Sequence, residues 1–208
     1  MRDQSDDVIA DLASIGREFY ARGWVLGTSG NFSSVLSRDP LRLAITASGV
    51  HKGELGADCI LEIDEAGRVI YGSKKPSAET LLHLTIARVL KAGAVLHTHS
   101  VWTNILSSIH QSRGILEITG HEMLKGLEGV TTHLHRESVA IVENSQDMTE
   151  LAAVVEALLE KQRSAHGFLI ARHGLYTWGR DLAEARRHVE IFEYLFEVTG
   201  RTELAKGL

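Results

Sequence analysis

Two histidines, His97 and His99, directly follow a short apolar run at residues 94–96. Side chains two positions apart on a strand point to the same face, so both imidazoles can face one point just past the strand end. Imidazole is a common zinc ligand, and a catalytic zinc usually has three protein ligands and one open position. His173 follows a second apolar run at residues 168–171 and is therefore the candidate third ligand.

The same histidine spacing occurs once more, at His133 and His135. No long apolar run precedes this second pair, and Arg136 and Glu137 follow it directly. We interpret it as a solvated strand end, with metal binding as the lesser alternative. Spacing alone is thus weak evidence, and the case for a metal at His97 and His99 depends on the rest of the chain.

Two loops are rich in small and hydroxyl-bearing residues, at positions 27–33 and 46–52. Glycine lets a backbone approach a ligand closely, and hydroxyl, amide and exposed N–H groups suit a phosphate. Either loop alone could be an ordinary turn. Two such loops, the second ending in the cation Lys52, favour an anion-binding site.

Composition limits the class of protein. The chain has 208 residues, of which 44% are hydrophobic and 24% charged, and a net charge of -5. We therefore expect one domain over residues 1–208 and neither nucleic acid nor a membrane as a partner. Cys59 is the single cysteine, and residues 1–7 lack the apolar core of a signal peptide, so we expect a cytoplasmic protein.

Hydrophobic periodicity predicts interspersed helices and strands without strict alternation. Several strands are joined by short turns, so we expect a single-domain α/β fold with α/β/α layers around a mixed, largely antiparallel sheet. The predicted helices span about residues 6–22, 76–90, 101–109, 147–161 and 181–199, the last ended by Gly200. The predicted strands span residues 41–46, 59–63, 68–71, 94–96, 131–135, 138–142, 168–171 and 175–178.

Five motifs together resemble the class II aldolase/adducin family, over about residues 8–200. They are Gly-Thr-Ser-Gly-Asn at 27–31, Thr-Ala-Ser-Gly at 46–49, Pro-Ser-Ala-Glu at 76–79, His-Thr-His at 97–99 and His-Gly at 173–174. The resemblance implies one divalent metal per subunit, usually Zn²⁺, bound by His97, His99 and His173. It also implies a ketose phosphate substrate and a homotetramer with active sites between subunits. The implied phosphate-binding residues are Ser29, Asn31, Ser48, Gly49 and Ser77.

Two further segments, residues 74–80 and 121–126, look most like the dehydratase branch of this family. The resemblance implies that Glu122 is the general acid/base. Glu79 competes for this role, because the matching glutamate of the aldolases lies beside the metal; it could also be an auxiliary ligand or a charge at a helix start. Alternative functions are a sugar-phosphate aldolase, a pentulose-phosphate 4-epimerase or, with less support, a non-catalytic adducin-like interaction domain.

Overall fold

A computed structural model describes residues 2–207, with side chains from Asp7 onward. Within this range the strands form one nine-stranded sheet in the order β4-β3-β2-β1-β5-β9-β8-β7-β6. The strands are β1 (Asn31–Arg38), β2 (Leu41–Thr46), β3 (Ile60–Asp64), β4 (Val69–Tyr71), β5 (Ala94–Thr98), β6 (Ile115–Ile118), β7 (Glu137–Val142), β8 (Gly167–Ile170) and β9 (Gly174–Gly179).

Most neighbouring strands of this sheet run antiparallel. Among the described strands, β7 and β8 form the one parallel pair. The predicted mixed, largely antiparallel sheet is therefore confirmed. The register between β1 and β2 shifts between Val35 and Ser37, as at a β-bulge.

Helices cover both faces of the sheet and give the predicted layers. Over the described residues they are α1 (Arg2–Ala21), α2 (Thr80–Leu90), α3 (Val101–His110), α4 (Met148–Lys161) and α5 (Leu182–Ala205). The apolar sides of α2 and α4 share one core cluster with strands β5, β8 and β9. On the opposite face α1 packs with α5, and α5 packs with α3, over two further clusters.

Two strands escaped prediction, and one predicted strand is wrong. β1 carries buried polar side chains, including Ser33 and Ser34, which hide it from a search for apolar alternation. β6 is only four residues long. Residues 131–135, predicted as a strand, instead form an exposed turn in which Leu134 is 73% exposed.

The last helix does not end at Gly200 as predicted. It continues to Ala205, and Gly200 lies inside it against the Trp102 ring. A Cβ atom at this position would approach the ring to 2.5 Å, so the glycine permits packing between α3 and α5. Within residues 2–207, none of the helices combines the length and the apolar character that a membrane crossing requires.

Candidate functional site

Strand register brings three side chains from distant parts of the sequence side by side. Asn31 on β1 pairs with His97 on β5, and His97 pairs with Tyr176 on β9. The His97 and Tyr176 rings stack with centroids 3.9 Å apart and an interplanar angle of 13°. His97 is fully buried, so its ring position is fixed by the sheet itself.

Four potential metal-ligating side chains converge at the end of β5. They are Glu79, His97, His99 and His173, whose ligand atoms all lie within 4.8 Å of one another. The Nε2 atom of His97 lies 2.8 Å from that of His99 and 3.3 Å from that of His173. Glu79 Oε1 lies 3.0 Å from His173 Nε2. The three histidines proposed from the sequence therefore meet at one point, and Glu79 joins them.

The donor set of this cluster fits a cation. His97 Nδ1 donates a hydrogen bond to the Leu175 carbonyl over 2.9 Å, which directs Nε2 at the cluster. Burial, together with the charges of His97 and His173, lowers the pKa of His99 to about 2. Three ring nitrogens thus face each other, with contacts of 2.8 and 3.3 Å. A divalent ion would satisfy these lone pairs, and imidazole with carboxylate is a donor set that zinc accepts.

Two glycines allow the strands that carry the cluster to approach closely. Gly174 follows His173, and a Cβ atom there would lie 2.0 Å from the Thr98 carbonyl oxygen. Gly30 has a φ of +72°, and its Cβ would lie 2.7 Å from the His97 carbonyl oxygen. A larger residue at either position would push β9 or the loop before β1 away from β5.

A chain of buried hydrogen bonds orients Glu79. Asn31 Nδ2 donates to Glu79 Oε2 over 2.6 Å, and His83 Nε2 contacts Asn31 Oδ1. On its other side His83 Nδ1 lies 2.7 Å from Ser33 Oγ. Burial raises the pKa of the Glu79 carboxyl, but His97 and His173 more than offset this and hold it well below its usual range. Glu79 is therefore ionised at neutral pH and a weak base.

Sequence reasoning missed the supporting role of His83. His83 lies four residues after Glu79, the residue directly preceding α2, so both side chains can lie on one face of the helix start. That spacing was a usable signal. By contrast, the contact of Tyr176 with His97 follows from the pairing of β5 with β9, which the sequence alone does not reveal.

Lys52 connects the two hydroxyl-rich loops. Its fully buried Nζ donates to the carbonyl oxygens of Thr28 and Val50, each over 3.1 Å. Burial lowers the pKa of Lys52 to about 8. Its donors are thus directed at the backbone of both loops and fix their relative position.

The candidate phosphate ligands are distributed around the cluster and differ in what they contact. Ser77 Oγ lies 3.3 Å from Asn31 Nδ2 and accepts from the Glu79 amide. Ser48 is exposed, and its amide donates to the Lys75 carbonyl, which holds the second loop beside the start of α2. Gly49 is exposed with a φ of +69°. The Ser29 hydroxyl donates to the Leu26 carbonyl over 2.7 Å.

Glu122 is not one of the four clustered groups. It begins a single helical turn (Glu122–Gly126) after β6, its side chain is 69% exposed, and it pairs with Lys125. The Lys125 ammonium lowers the pKa of the Glu122 carboxyl. Gly126 packs on Ile191 of α5, which attaches the turn to the last helix. Within one chain, Glu122 therefore presents an ionised carboxylate to the surface.

A buried carboxyl group on α5 contacts the end of β5. Glu193 on α5 accepts from the Thr98 hydroxyl over 3.0 Å, while its Oε2 is buried without a hydrogen-bond partner. Burial raises the pKa of Glu193 to about 7. The folded protein thus binds this proton more tightly than the unfolded chain does, so stability falls as pH rises from about 4.5 through about 7.

We expect Glu193→Gln to remove this loss of stability at high pH. The free energy of unfolding of the variant should exceed that of the parent by about 3 kcal/mol at pH 8, since each pKa unit corresponds to about 1.36 kcal/mol. Near pH 4 this advantage should disappear. Urea unfolding at both pH values measures the difference, with exposed Glu160→Gln as the matched control. A difference in the free energy of unfolding between variant and parent that does not change with pH would contradict the raised pKa of Glu193.

Comparison with known proteins adds a family match. The family model for the class II aldolase and adducin N-terminal domain matches residues 10–199. A methylthioribulose-1-phosphate dehydratase of Methylococcus capsulatus is 47% identical over 193 residues, which cover 92% of this chain and 92% of that protein. A second protein of that name, from Pseudomonas fluorescens, is 42% identical and covers 95% of this chain and 94% of its own length.

Solved structures agree with this match at the level of the fold. An L-fuculose 1-phosphate aldolase superposes with a TM-score of 0.77 at 25% sequence identity. The alignment covers 97% of this chain and 87% of the aldolase.

Proposed function

This chain belongs to the class II aldolase and adducin family, and from that premise we propose that it is a methylthioribulose-1-phosphate dehydratase. The reaction is the dehydration of 5-methylthioribulose 1-phosphate to 2,3-diketo-5-methylthiopentyl 1-phosphate, a step of methionine salvage. The observation that carries this proposal is the identity of 42–47% with dehydratases of that name over nearly the whole of both chains.

We further propose that His97, His99 and His173 hold one Zn²⁺ per subunit, with Glu79 beside it. The convergence of their ligand atoms within 4.8 Å supports this assignment. When bound, the ion supplies Lewis-acid stabilisation of negative charge developing on the C2 and C3 oxygens of the substrate. Asn31, itself in contact with His83, orients the Glu79 carboxylate beside the histidines.

Glu122 is the proposed acid/base. Its carboxylate removes the C3 hydrogen and then returns the proton to the C4 hydroxyl, which leaves as water. The resulting enol, with its double bond between C3 and C4, tautomerises to the 2,3-diketone. Loss of one hydrogen from C3 and one hydroxyl from C4 accounts for the water released.

The exposure of Glu122 supports a shared active site. Because its carboxylate is absent from the cluster of its own chain, we propose that Glu122 of a neighbouring subunit completes each site in a cytoplasmic homotetramer. This arrangement also explains how an exposed, ionised carboxylate serves a reaction that needs exclusion of water: the subunit contact supplies the burial.

The proposed phosphate site comprises Ser29, Asn31, Ser48, Gly49 and Ser77. Ser48 and Gly49 are the exposed members and are expected to contact the phosphate directly, whereas the amide of Asn31 also orients Glu79. Lys52 holds the two loops in position.

We expect Ser48→Asp to raise KM for the ketose phosphate at least tenfold, because a carboxylate there repels the dianionic phosphate. The change should leave metal content intact, since Ser48 is not one of the four clustered side chains. Steady-state kinetics measures the effect, and Ser48→Asn, of similar size without charge, is the control. An unchanged KM for Ser48→Asp would remove this residue from the phosphate site.

The experiment that tests the function is product identification. Zinc-loaded protein is mixed with 5-methylthioribulose 1-phosphate, and the products are resolved by mass spectrometry and NMR. The 2,3-diketone phosphate is the expected product. Dihydroxyacetone phosphate with methylthioacetaldehyde would instead mean C3–C4 cleavage.

Cleavage is the second candidate function, and one observation favours it. Glu79 lies among the histidines, where a sugar-phosphate aldolase of this family needs its acid/base, and an L-fuculose 1-phosphate aldolase shares the fold. The low pKa of Glu79 argues against it as a base, since proton abstraction is most effective when the pKa lies near the working pH.

A further inference from the structure

A second group of metal-ligating side chains lies apart from the candidate site. His135 Nε2 lies 2.8 Å from Glu137 Oε2, and His166 Nδ1 lies 3.0 Å from the same oxygen. The ligand atoms of all three lie within 4.8 Å of one another. His166 directly precedes β8, whereas His173 follows it, so the two groups lie at opposite ends of this strand.

We propose that His135, Glu137 and His166 form a second divalent-metal site of the zinc class. Its donors are two imidazole nitrogens and a carboxylate, with a fourth position open. The site would anchor the segment that carries Glu122 to the sheet. This inference goes beyond the proposed function, because none of its residues belongs to the set assigned to catalysis.

The geometry of the three donors suits an ion. Ligands about 2.1 Å from a tetrahedral zinc lie about 3.4 Å apart. The donor contacts here, 2.8 and 3.0 Å, are as compact as the 2.8 and 3.3 Å contacts between ring nitrogens in the first cluster. Rotations of the two rings that lengthen these contacts by about 0.5 Å would admit an ion between the rings and the carboxylate.

The outer nitrogen of His166 is arranged as for a metal ligand. Its Nε2 donates to the Glu128 carbonyl over 2.8 Å, which fixes the ring and directs Nδ1 at Glu137. Histidine ligands usually donate their second ring N–H to a carbonyl or carboxylate, which orients the ring and increases its basicity.

An ion can reach this site from solvent. His135 and His166 line a cavity of about 540 Å³, and the His135 side chain is 33% exposed. The Glu137 side chain is 4% exposed and that of His166 is 12% exposed. An ion would therefore enter past His135, the most exposed of the three donors.

The position of the site explains what an ion there would do. The backbone of Glu128 makes two hydrogen bonds to histidines. Its carbonyl accepts from His166, and its amide donates to His188 Nε2 over 3.1 Å. Residues 122–136 include both Glu122 and, at their end, His135. A metal joining His135 to Glu137 and His166 would close this segment onto β7 and β8.

Metal stoichiometry tests the proposal. Full-length protein stripped with a chelator is titrated with Zn²⁺ against a colorimetric competitor, and bound metal is counted by mass spectrometry. The parent should bind two equivalents per chain, and His135→Ala and Glu137→Gln should each bind one. His133→Ala, which changes the other histidine of the same His-Leu-His triplet, is the matched control and should bind two.

A double variant isolates the second site. The double variant His97→Ala/His99→Ala should still bind one equivalent of Zn²⁺, and this ion should raise its melting temperature. When His135→Ala is added to the double variant, Zn²⁺ should no longer raise the melting temperature. One equivalent in the parent, or two in His135→Ala, would overturn the proposal. Because His135 is partly exposed, we expect His135→Ala to stay folded. The metal content of this variant therefore tests the proposal even if Glu137→Gln unfolds the chain.

Discussion

Glu122→Gln is expected to lower kcat by about 10²–10⁴-fold while each subunit keeps its metal at the first site. Glutamine preserves the size of the side chain and its contact with Lys125 but cannot accept the C3 proton. Steady-state kinetics with metal analysis of the same preparation measures both quantities. Glu117→Gln, an exposed glutamate of β6 that pairs with Arg136, is the matched control and should be neutral. Near-parental turnover of Glu122→Gln with metal bound would reject the assigned role.

Complementation between variants tests the shared site. We expect Glu122→Gln and His97→Ala each to lose activity as homo-oligomers. In mixed oligomers, some shared sites would combine an intact Glu122 with an intact histidine cluster. Co-refolding the two proteins should therefore restore part of the activity. If both residues served the same subunit's site, the mixture would stay inactive even though Glu122 remained essential.

His99→Ala is expected to lose the metal of the first site and to lower kcat/KM by at least about 10³-fold. Lewis-acid stabilisation contributes several kcal/mol to the transition state, and about 1.4 kcal/mol corresponds to a factor of ten in rate. His99 follows the end of β5 and is less buried than His97, so its removal should leave the sheet intact. Circular dichroism and metal analysis separate metal loss from unfolding.

The control for this prediction is His110→Ala. His110 pairs with Glu203 at the far end of α3 and lies outside both histidine groups. Its variant should retain metal and turnover. Retention of the first-site metal in His99→Ala, measured at equal protein concentration, would exclude His99 as a ligand.

The sequence predicted the parts of this molecule that depend on local pattern. His97 and His173 each lie at the end of an apolar strand, and apolar strands of this kind are readable from composition and length. The layer order followed from helices of clear periodicity, such as α4 and α5. The resemblance of five ordered motifs then limited the chemistry to a few reactions of one family.

What escaped prediction depends on contacts between distant residues. β1 was hidden because its buried face is polar. Its Asn31 and Ser33 side chains contact Ser77, Glu79 and His83, about fifty positions away. The second histidine group escaped for the same reason. The local sequence predicts a solvated His135, because its partner His166 lies 31 positions later and is adjacent only through the parallel pairing of β7 with β8.

The bulge in β1 has a consequence for how this sequence can vary in length. Asn31 must stay opposite His97, because a slip of one residue would turn its amide to the other face of the sheet. The register shift between Val35 and Ser37 separates that half of β1 from the turn leading into β2. The bulge can thus accommodate insertions or deletions in the turn at residues 39–40 without changing the register of Asn31. A single deletion within residues 31–34 would instead break the hydrogen bond between Asn31 and Glu79. A library of one-residue deletions along β1 should show tolerance changing sharply at this boundary.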